Sequence, residues 1–376
     1  MRIEFGELVL GDTAKKHMQD VLNTSWASSG PKTKMFEEGW GKLFNYKYNK
    51  AVSSGTDAGI NAVMALYEFG AIRGKSEVIV PALSFIATSN AVLAAGLVPR
   101  FVDVEKHTLN IDPSKIEAAI NENTVGIKVV HTMGKMCEMD KIRDIADKHN
   151  LKIIEDSCEA HGAQYRGEYP GGYGDCSTFS YYIAHLICCG EGGMVSTDDK
   201  VIADAVDSTR SHGRLPGSLY FDHVRNGFNS KMNDMEASLG LEGVDEFWDT
   251  FDIRKKNLYY MMDKFAKYSD KIWMNTEEEH ESVCPHGYSF TFKDPEFDVN
   301  AFSDYLTKNE IKNKRNFGAI PTQHKAFEFM GHKLGDFPNA EYIGDHGIHI
   351  GCHRYLSGSD LDYVVETVSN YLDKNV

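Results

Sequence analysis

Two stretches of this sequence carry side chains that suit proton transfer and the binding of a charged ring. At residues 153–167, IIEDSCEAHGAQYRG, an apolar run ends in Glu155 and Asp156. At residues 177–199, STFSYYIAHLICCGEGGMVSTDD, His185 lies between two runs that are typical of strands. A carboxylate beside a heteroaromatic nitrogen keeps that nitrogen protonated. An imidazole, whose unperturbed pKa is about 6.5, suits general-base work near neutral pH.

Other positions have both a functional and a structural interpretation; the residues alone favour the structural one at SSGTDAG and at Phe85 and leave both open at Asn229. The stretch SSGTDAG predicts a strand that ends at a turn made by Gly55, followed by a helix that begins at Thr56 or Asp57. Free N–H groups at such a helix start bind anions, although the same residues form an ordinary N-cap. Phe85 is either a platform for a planar cofactor or a core aromatic residue. Asn229 either caps the helix that follows it or reaches a phosphate.

The elements that must position these residues alternate along the first part of the chain. The apolar runs SEVIVPA, LVPRFVDV, VGIKVVH and LKIIED predict strands, and DPSKIEAAINEN and MDKIRDIADKHN between them have helical spacing. Strand–helix alternation of this kind predicts an α/β fold with a mainly parallel sheet and helices on both faces. In open α/β sheets, ligands bind at the edge formed by the carboxyl ends of the strands.

The pattern changes in the last third of the chain. After the helical stretch DMEASLGLEGVDEFWDTFDIRKKNLYYMMDKFAKY, the strand YSFTFK and the helices NAFSDYLTKNE and SDLDYVVETVSNYLDK predict an α+β arrangement. We therefore expect two domains. Residues 1–245 would form a large cofactor-binding α/β domain, and residues 246–376 a linking helix with a small C-terminal α+β domain.

Composition argues against several classes of protein. The 376 residues carry a formal net charge of −15, which disfavours a nucleic-acid partner because phosphate backbones bind clustered Lys and Arg. No apolar run approaches the roughly 20 residues of a membrane span, and the N-terminus lacks a signal-peptide core. The seven cysteines are irregularly spaced and form no C-x-x-C pair. A reducing cytoplasm is therefore expected, and neither a disulfide framework nor a metal site is predicted.

Seven segments, taken in order, resemble one family. The sequence is similar to the nucleotide-sugar aminotransferases and dehydratases of the DegT/DnrJ/EryC1/StrS group, which have the type I fold of pyridoxal-phosphate enzymes. The likeness covers most of residues 20–240. Its segments are SSGPKTKMFEEGWGKLFNYKYNKAVSSGTDAG, EVIVPALSFIATSNAVLAAGLVPRFVDV, LNIDPSKIEAAI, EDSCEAHGAQYRG, GDCSTFSYY, GEGGMVSTDD and NGFNSKMNDMEASLG.

The resemblance implies a phosphate site that is completed by a second subunit. The turn at Gly55 and Thr56, together with Ser180, would hold the phosphate of pyridoxal 5′-phosphate (PLP) or pyridoxamine 5′-phosphate (PMP). Asn229 would reach this phosphate from the neighbouring subunit, because enzymes of this family build each site at a dimer interface. The resemblance therefore implies a homodimer.

The resemblance also implies how the cofactor ring and the substrate are held. The ring would stack on Phe85, with Asp156 at the ring nitrogen and Glu159 near the ring hydroxyl group. The substrate would be a nucleotide-linked keto sugar. In relatives, one loop lies close to this sugar nucleotide, and here that loop contains Trp26, Ser28 and Ser29.

His185 stands where the aminotransferases of the family have lysine. FSYYIAH matches their segment F-S-F-x-x-x-K, in which the lysine forms a Schiff base with PLP. Imidazole cannot form a stable Schiff base, so the resemblance implies PMP, or PLP held without a covalent link, with His185 as general base. This pattern is similar to the 3-dehydratases of nucleotide-linked 4-keto-6-deoxyhexoses, such as GDP-4-keto-6-deoxymannose 3-dehydratase.

The implied reaction removes the C3 hydroxyl group of the keto sugar, and L-glutamate then restores the amine cofactor. Two alternatives stay open. The chain could be a perosamine-synthase-like aminotransferase whose lysine is replaced by His185, or a non-catalytic relative that binds cofactor and sugar. Leu186 departs from the histidine dehydratases, in which a second histidine usually follows the first.

Overall fold

The computed structural model of the protein describes residues 3–218 and 222–376, and strands alternate with helices through most of them. The strands, in chain order, are β1 (Tyr48–Val52), β2 (Glu77–Pro81), β3 (Val98–Val102), β4 (Thr124–Val130), β5 (Lys152–Asp156), β6 (Gln164–Tyr165), β7 (Cys176–Ser180), β8 (Gly193–Thr197), β9 (Ile272–Met274), β10 (Glu281–Ser282), β11 (Gly287–Phe292), β12 (Asn313–Arg315) and β13 (Gly347–Gly351). The helices are α1 (Asp12–Thr24), α2 (Pro31–Phe44), α3 (Gly55–Met64), α4 (Ala87–Ala94), α5 (Pro113–Ala119), α6 (Met139–His149), α7 (Lys200–Thr209), α8 (Asp234–Asp245), α9 (Phe247–Phe265), α10 (Val299–Lys308), α11 (Ile320–Gln323), α12 (Pro338–His346) and α13 (Gly358–Asn375).

The largest sheet has seven strands in the order β1-β8-β7-β5-β4-β2-β3. β8 is antiparallel to both of its neighbours, β7 and β1. The pairs β2–β3, β2–β4, β4–β5 and β5–β7 are all parallel. The prediction of a mainly parallel sheet is therefore confirmed, and β8 is its one reversed strand.

Both faces of this sheet are covered, which explains why its strands are apolar at successive positions. In β2, Ile79 belongs to an apolar cluster that includes Trp40 of α2, whereas Val80 belongs to a cluster that includes Ala62 of α3. Successive side chains of a strand point to opposite faces, so a strand between two helical layers must be apolar on both.

Helix boundaries differ from the predicted ones in two places. α3 begins at Gly55, one residue before the predicted start, and Ser54 is its N-cap, with its hydroxyl oxygen accepting the Asp57 N–H at 3.1 Å. The long helical stretch after residue 233 is broken at Glu246 into α8 and α9. The N-cap of α8 is Asn233, so the interpretation of Asn229 as the cap of that helix is wrong.

The C-terminal part forms a second sheet with the strand order β12-β13-β11-β9, antiparallel throughout. A third apolar cluster lies between this sheet and the helices α9, α10 and α13, with Phe290, Phe302 and Val368 among its members. The predicted strand YSFTFK and the two predicted helices after it are present as β11, α10 and α13.

The seven cysteines are all free, and five of them are buried. Among the described helices, none is both long enough and apolar enough to cross a membrane.

Candidate active site

Strand order brings two loops of the candidate site side by side. Val52, the last residue of β1, pairs with Gly193, and Gly193 pairs with Ser180, the last residue of β7. The turn after β1 therefore lies one strand away from Ser180. A Cβ atom on Gly193 would come within 2.3 Å of the Ser54 carbonyl oxygen, so only glycine permits this approach.

The start of α3 packs directly on Ser180. A Cβ atom on Gly55 would lie 2.5 Å from the Ser180 Cβ, so glycine is required here as well. The first N–H groups of a helix lack intrahelical partners, and the helix dipole favours negative charge beside them. Together with the hydroxyl groups of the exposed Thr56 and of Ser180, these N–H groups form an anion-binding arrangement.

Phe85 lies in the loop between β2 and α4, with 62% of its surface exposed, so the interpretation as a core aromatic is wrong. Its carbonyl oxygen accepts the Thr88 N–H at 3.1 Å. The Thr88 hydroxyl group in turn donates to Asp156 Oδ2 at 3.0 Å. The exposed Phe85 ring therefore lies one helical turn from Thr88, which binds the Asp156 carboxylate. At this position the ring is available for stacking.

The two acidic residues at the end of β5 have different environments. Glu155 is buried, and its Oε2 lies 2.7 Å from Nε2 of His131, while the Gly174 N–H donates to its other oxygen. Asp156 points to the opposite face, as alternation along a strand requires, and contacts Thr88 of α4. Glu155 is thus a structural residue, and Asp156 is the carboxylate presented to the ligand edge.

Asp156 is held in its ionised form by a buried lysine. The ammonium group of Lys128, in the neighbouring strand β4, donates to Asp156 Oδ2 and forms an ion pair with it. Burial alone would raise the pKa of Asp156, but the charge and hydrogen bond of Lys128 hold it below its usual value. An ionised carboxylate at this edge can pair with a protonated ring nitrogen.

Glu159, which follows β5, is linked to a histidine of the C-terminal part. Its Oε2 accepts the Met133 N–H at 2.7 Å, and its Oε1 lies 3.5 Å from Nε2 of His286. Burial raises the pKa of Glu159 to about 7, with the Met133 hydrogen bond opposing the shift and the charge of Asp156 adding to it. Near neutral pH, Glu159 can therefore donate or accept a hydrogen bond at a ligand hydroxyl group.

His185 lies in the loop between β7 and β8, with its ring between two other imidazoles. The ring centroids of His161 and His286 are 5.6 Å and 5.2 Å away. Within the described residues, its buried Nδ1 has no hydrogen-bond partner. Burial lowers the pKa of His185 to about 3, and the positive charge of Arg254 acts in the same direction. The ring is therefore neutral at physiological pH, but it is a weaker base than the ordinary imidazole pKa of 6.5 led us to expect.

The other predicted positions lie in exposed segments. Trp26 and Ser28 are in the loop between α1 and α2. Ser29 is there too, and its carbonyl oxygen lies 3.4 Å from the Trp26 indole nitrogen. Asn229 is exposed, and its side-chain oxygen accepts a hydrogen bond from Lys231 Nζ at 2.9 Å.

A phosphorylated pyridine fits the residues that the structure brings together. The start of α3 would take the phosphate, and the exposed ring of Phe85 would take one face of the heterocycle. The ionised Asp156 would take the ring nitrogen. The buried Nδ1 of His185 has no hydrogen-bond partner among the described residues, and the same holds for ring nitrogens of the flanking His161 and His286, so unsatisfied polar atoms cluster at this place.

Three residues at this site were missed by the sequence-based interpretation. Lys128 interrupts an apolar run, and a single charged residue in a strand buried on both faces is the signal that could have found it. Arg254 and His286 lie in the C-terminal part and reach His185 only through the tertiary structure. No local pattern in the sequence marks them.

The chain belongs to the DegT/DnrJ/EryC1/StrS aminotransferase family, whose profile matches residues 9–369. It is 32% identical to the GDP-perosamine synthase of Escherichia coli O157:H7, in a match that covers 96% of this chain and 96% of that protein. It is 30% identical to the dTDP-4-dehydro-2,6-dideoxy-D-glucose 3-dehydratase of Saccharopolyspora spinosa, over 93% of this chain and 82% of that protein.

A solved structure of GDP-4-keto-6-deoxy-D-mannose 3-dehydratase from E. coli, with bound hydrated PLP, superimposes with a TM-score of 0.88. The match has 26% sequence identity and covers 98% of this chain and 99% of that one. These findings confirm the predicted family and type I fold, and PLP is confirmed as a cofactor of the family. The relatives include both aminotransferases and 3-dehydratases, so the family alone does not choose between them.

Proposed function

We propose that the protein is a PMP/PLP-dependent dehydratase that removes the C3 hydroxyl group of a nucleotide-linked 4-keto-6-deoxyhexose. The observation that carries the proposal is the position of His185. A neutral imidazole with an unpartnered, buried Nδ1 lies after β7, where the aminotransferases have a lysine. Without an amine at this place, the chain cannot recapture the cofactor aldehyde, so a sugar joined to the cofactor stays bound long enough for elimination.

The cofactor supplies an amine that condenses with the sugar ketone and a ring that takes up the electron pair left by proton removal. His185 accepts that proton. Its low pKa means that the imidazolium form is unfavourable beside Arg254, so the proton is readily given up again. A departing C3 hydroxyl group needs a proton, and His185 is suited to deliver the one that it has taken.

The remaining residues hold the reacting groups in place. The first turn of α3 and Ser180 bind the phosphate, and Phe85 supports the ring. Asp156 keeps the ring nitrogen protonated, which favours electron withdrawal from the reacting carbon. Glu159, with a pKa of about 7, donates to the ring hydroxyl group or accepts from it.

Two other lysines near the site bear on the proposal. The Lys128 ammonium is bound to Asp156, so with Asp156 at the ring nitrogen it would lie across the ring from the aldehyde group. Lys314, in β12, has its ammonium 4.6 Å from the ring centroid of Phe5. Neither follows β7, and we expect neither to bond with the cofactor.

The alternative is a sugar aminotransferase that lost its lysine, and the 32% identity to a GDP-perosamine synthase favours it. Incubation with PMP, L-glutamate and a GDP- or dTDP-linked 4-keto-6-deoxyhexose distinguishes the two functions. Mass analysis should show loss of the C3 oxygen, with release of ammonia. An amino sugar as the accumulating product would instead establish the aminotransferase.

Two controls complete this experiment. His185→Asn keeps a polar side chain of similar size but cannot take up the proton, so its product should be lost. His107→Asn changes an exposed histidine outside the candidate site and should leave the product unchanged. Binding of PMP and sugar without any product in the unmodified protein would favour a non-catalytic relative.

The proposal includes a homodimer in which Asn229 of one subunit reaches the phosphate held by the other. The exposure of Asn229 supports this, since its side chain contacts only the neighbouring Lys231 among the hydrogen bonds found for it. The same segment exposes apolar side chains, which is typical of surfaces that bind another protein. They are Leu215, Val224 and Phe228.

A further inference from the structure

Lys128 is a charged residue in the middle of the central sheet, with 1% of its side chain exposed. It pairs with Ile154 in the register of β4 and β5, two residues before Asp156. Residues two apart along a strand share a face, so Lys128 and Asp156 both point toward α3. A Cβ atom on Gly59 of α3 would lie 3.7 Å from the Lys128 ammonium nitrogen, which places this ammonium beneath the helix.

A buried lysine of this kind is not explained by stability. Removing an ammonium group from water is costly, and replacing a buried ion pair by apolar side chains is often neutral or stabilising. The neighbouring strands are apolar at corresponding positions, as shown by Val80 in β2 and Ile154 in β5. An apolar residue at position 128 would suit the sheet better, so the ammonium group requires a functional reason.

The geometry at Asp156 supplies such a reason. Both Lys128 and Thr88 donate to the same oxygen, Oδ2, and so leave Oδ1 to other partners. Two donors from different elements also fix the rotation of the carboxylate, and the Cys158 thiol is a further hydrogen-bond partner of Asp156. A ring nitrogen bound at Oδ1 would therefore have the Lys128 ammonium group on the far side of the carboxylate.

We propose that Lys128 is a positioning residue that orients Asp156 and makes the nitrogen of the bound cofactor ring less basic. The Lys128 ammonium group and the protonated ring nitrogen then share the Asp156 carboxylate. The charge of the ammonium group opposes protonation of the ring nitrogen. At a separation of a few ångströms, this opposition lowers the ring pKa on the order of 1–2 pH units. The inference rests on the proposed position of Asp156 at the ring nitrogen, and not on the choice between dehydratase and aminotransferase.

A less basic ring nitrogen has a chemical consequence for the proposed reaction. The ring takes up the electron pair less strongly than it would beside Asp156 without Lys128, so proton removal by His185 gains more from the simultaneous departure of a leaving group. Elimination of the C3 hydroxyl group provides that departure, whereas transamination does not. Lys128 thus biases the site toward elimination.

Titration of the ring nitrogen tests the inference without reference to turnover. The chemical shift of ¹⁵N in the ring of labelled PMP bound to the protein reports the protonation of that nitrogen as pH is varied. In Lys128→Met, we expect the ring pKa to rise on the order of 1–2 pH units. Lys128→Gln, which keeps a hydrogen-bond donor without the charge, should show the same rise and serves if the Met variant does not fold.

Two control variants separate charge from other effects. Thr88→Val removes a neutral donor to the same oxygen and should change the ring pKa much less than Lys128→Met. Lys152→Met removes a lysine of β5 that pairs with Asp175 at 2.7 Å, at the opposite end of the strand from Asp156, and should leave the ring pKa unchanged.

Asp156→Asn identifies which assumption fails if the expected result is not found. An unchanged ring pKa in both Lys128 variants, together with a lowered one in Asp156→Asn, would overturn the role of Lys128 while keeping Asp156 at the ring. An unchanged ring pKa in Asp156→Asn as well would show that Asp156 does not bind the ring nitrogen, and the proposed site itself would be wrong.

Discussion

Arg254 donates a hydrogen bond from its guanidinium group to the backbone carbonyl oxygen of His185, at 3.1 Å. The same guanidinium group also donates to the carbonyl oxygens of Ala184, Pro285 and His286. Arg254 is buried in α9 of the C-terminal part, so one side chain ties the loop of the proposed base to the chain segment that carries His286. Its charge also helps to keep the His185 ring neutral.

Arg254→Met should therefore destabilise the protein and disorder the His185 loop. The substitution leaves several buried carbonyl oxygens without donors, and we expect the free energy of unfolding to fall by about 3 kcal/mol or more. Urea unfolding measures this change. Arg166→Met, which removes an exposed arginine, should have little effect. Equal stability of the two variants would contradict the proposed role of Arg254.

Replacing His185 by lysine should give the site a covalent link to PLP. In His185→Lys, we expect PLP to become covalently attached, because the lysine takes the position of the family's Schiff-base residue. Borohydride reduction followed by peptide mass analysis should find the pyridoxyl group on residue 185 of this variant, and on no residue of the unmodified protein.

The matched control is Ile183→Lys, which places a lysine in the same loop but on an exposed residue. It should gain no pyridoxyl group at position 183. Labelling of Lys128 or Lys314 in the unmodified protein would show that another amine anchors the cofactor, and the proposal for His185 would then be wrong.

Much of this site follows from features that the sequence displays directly. The strands of the central sheet are apolar on both faces, and their carboxyl ends must meet at one edge. That reasoning brings the turn at Gly55, the acidic end of β5 and the His185 loop to the same side of the sheet. Alternation along β5 then separates Glu155 from Asp156, although the choice of face depends on the packing of α4 and α6.

The features that could not be predicted all depend on contacts across the fold. Arg254 is 69 residues from His185 along the chain, and only the packing of α9 against the central part brings them together. Likewise, a lysine in an apolar run gives no indication of its partner until the register of β4 and β5 is known. The break at Glu246 also lacks a helix-breaking glycine or proline, so the pattern predicted one continuous helix.

The low pKa of His185 predicts a loss of stability in acid. An unfolded chain protonates this histidine below its ordinary pKa of 6.5, whereas the folded protein keeps it neutral down to about 3. The contribution of the neutral His185 ring to the free energy of unfolding is therefore fully present above pH 6.5. It is lost as the pH falls from 6.5 toward 3. At about pH 5, the cost is about 2 kcal/mol relative to pH 7.

Comparison of the unmodified apo protein with His185→Asn isolates this effect. Between pH 7 and pH 5, the free energy of unfolding should fall in both proteins. The fall should be about 2 kcal/mol smaller in the variant than in the unmodified protein. His107→Asn, at an exposed histidine, should follow the unmodified protein. Parallel curves for the His185 variant and the unmodified protein would mean that the folded environment does not resist protonation of this ring.

The proposed homodimer predicts that two inactive variants restore activity to each other. His185→Asn removes the base, and Asn229→Ala removes the side chain that would reach the partner's phosphate site. In a mixed dimer, one site contains both substitutions. The other combines an unmodified His185 from one subunit with an unmodified Asn229 from the other, so it should turn over substrate.

Co-expression of the two variants with different affinity tags allows the mixed dimer to be purified and compared with each variant alone. Asn226→Ala, at an exposed asparagine three residues earlier, should be active without any partner. Activity of the mixed dimer above that of both parents would require Asn229 to act across the interface, because no single chain then holds both residues. A mixed dimer as inactive as its parents would assign Asn229 to the site of its own chain.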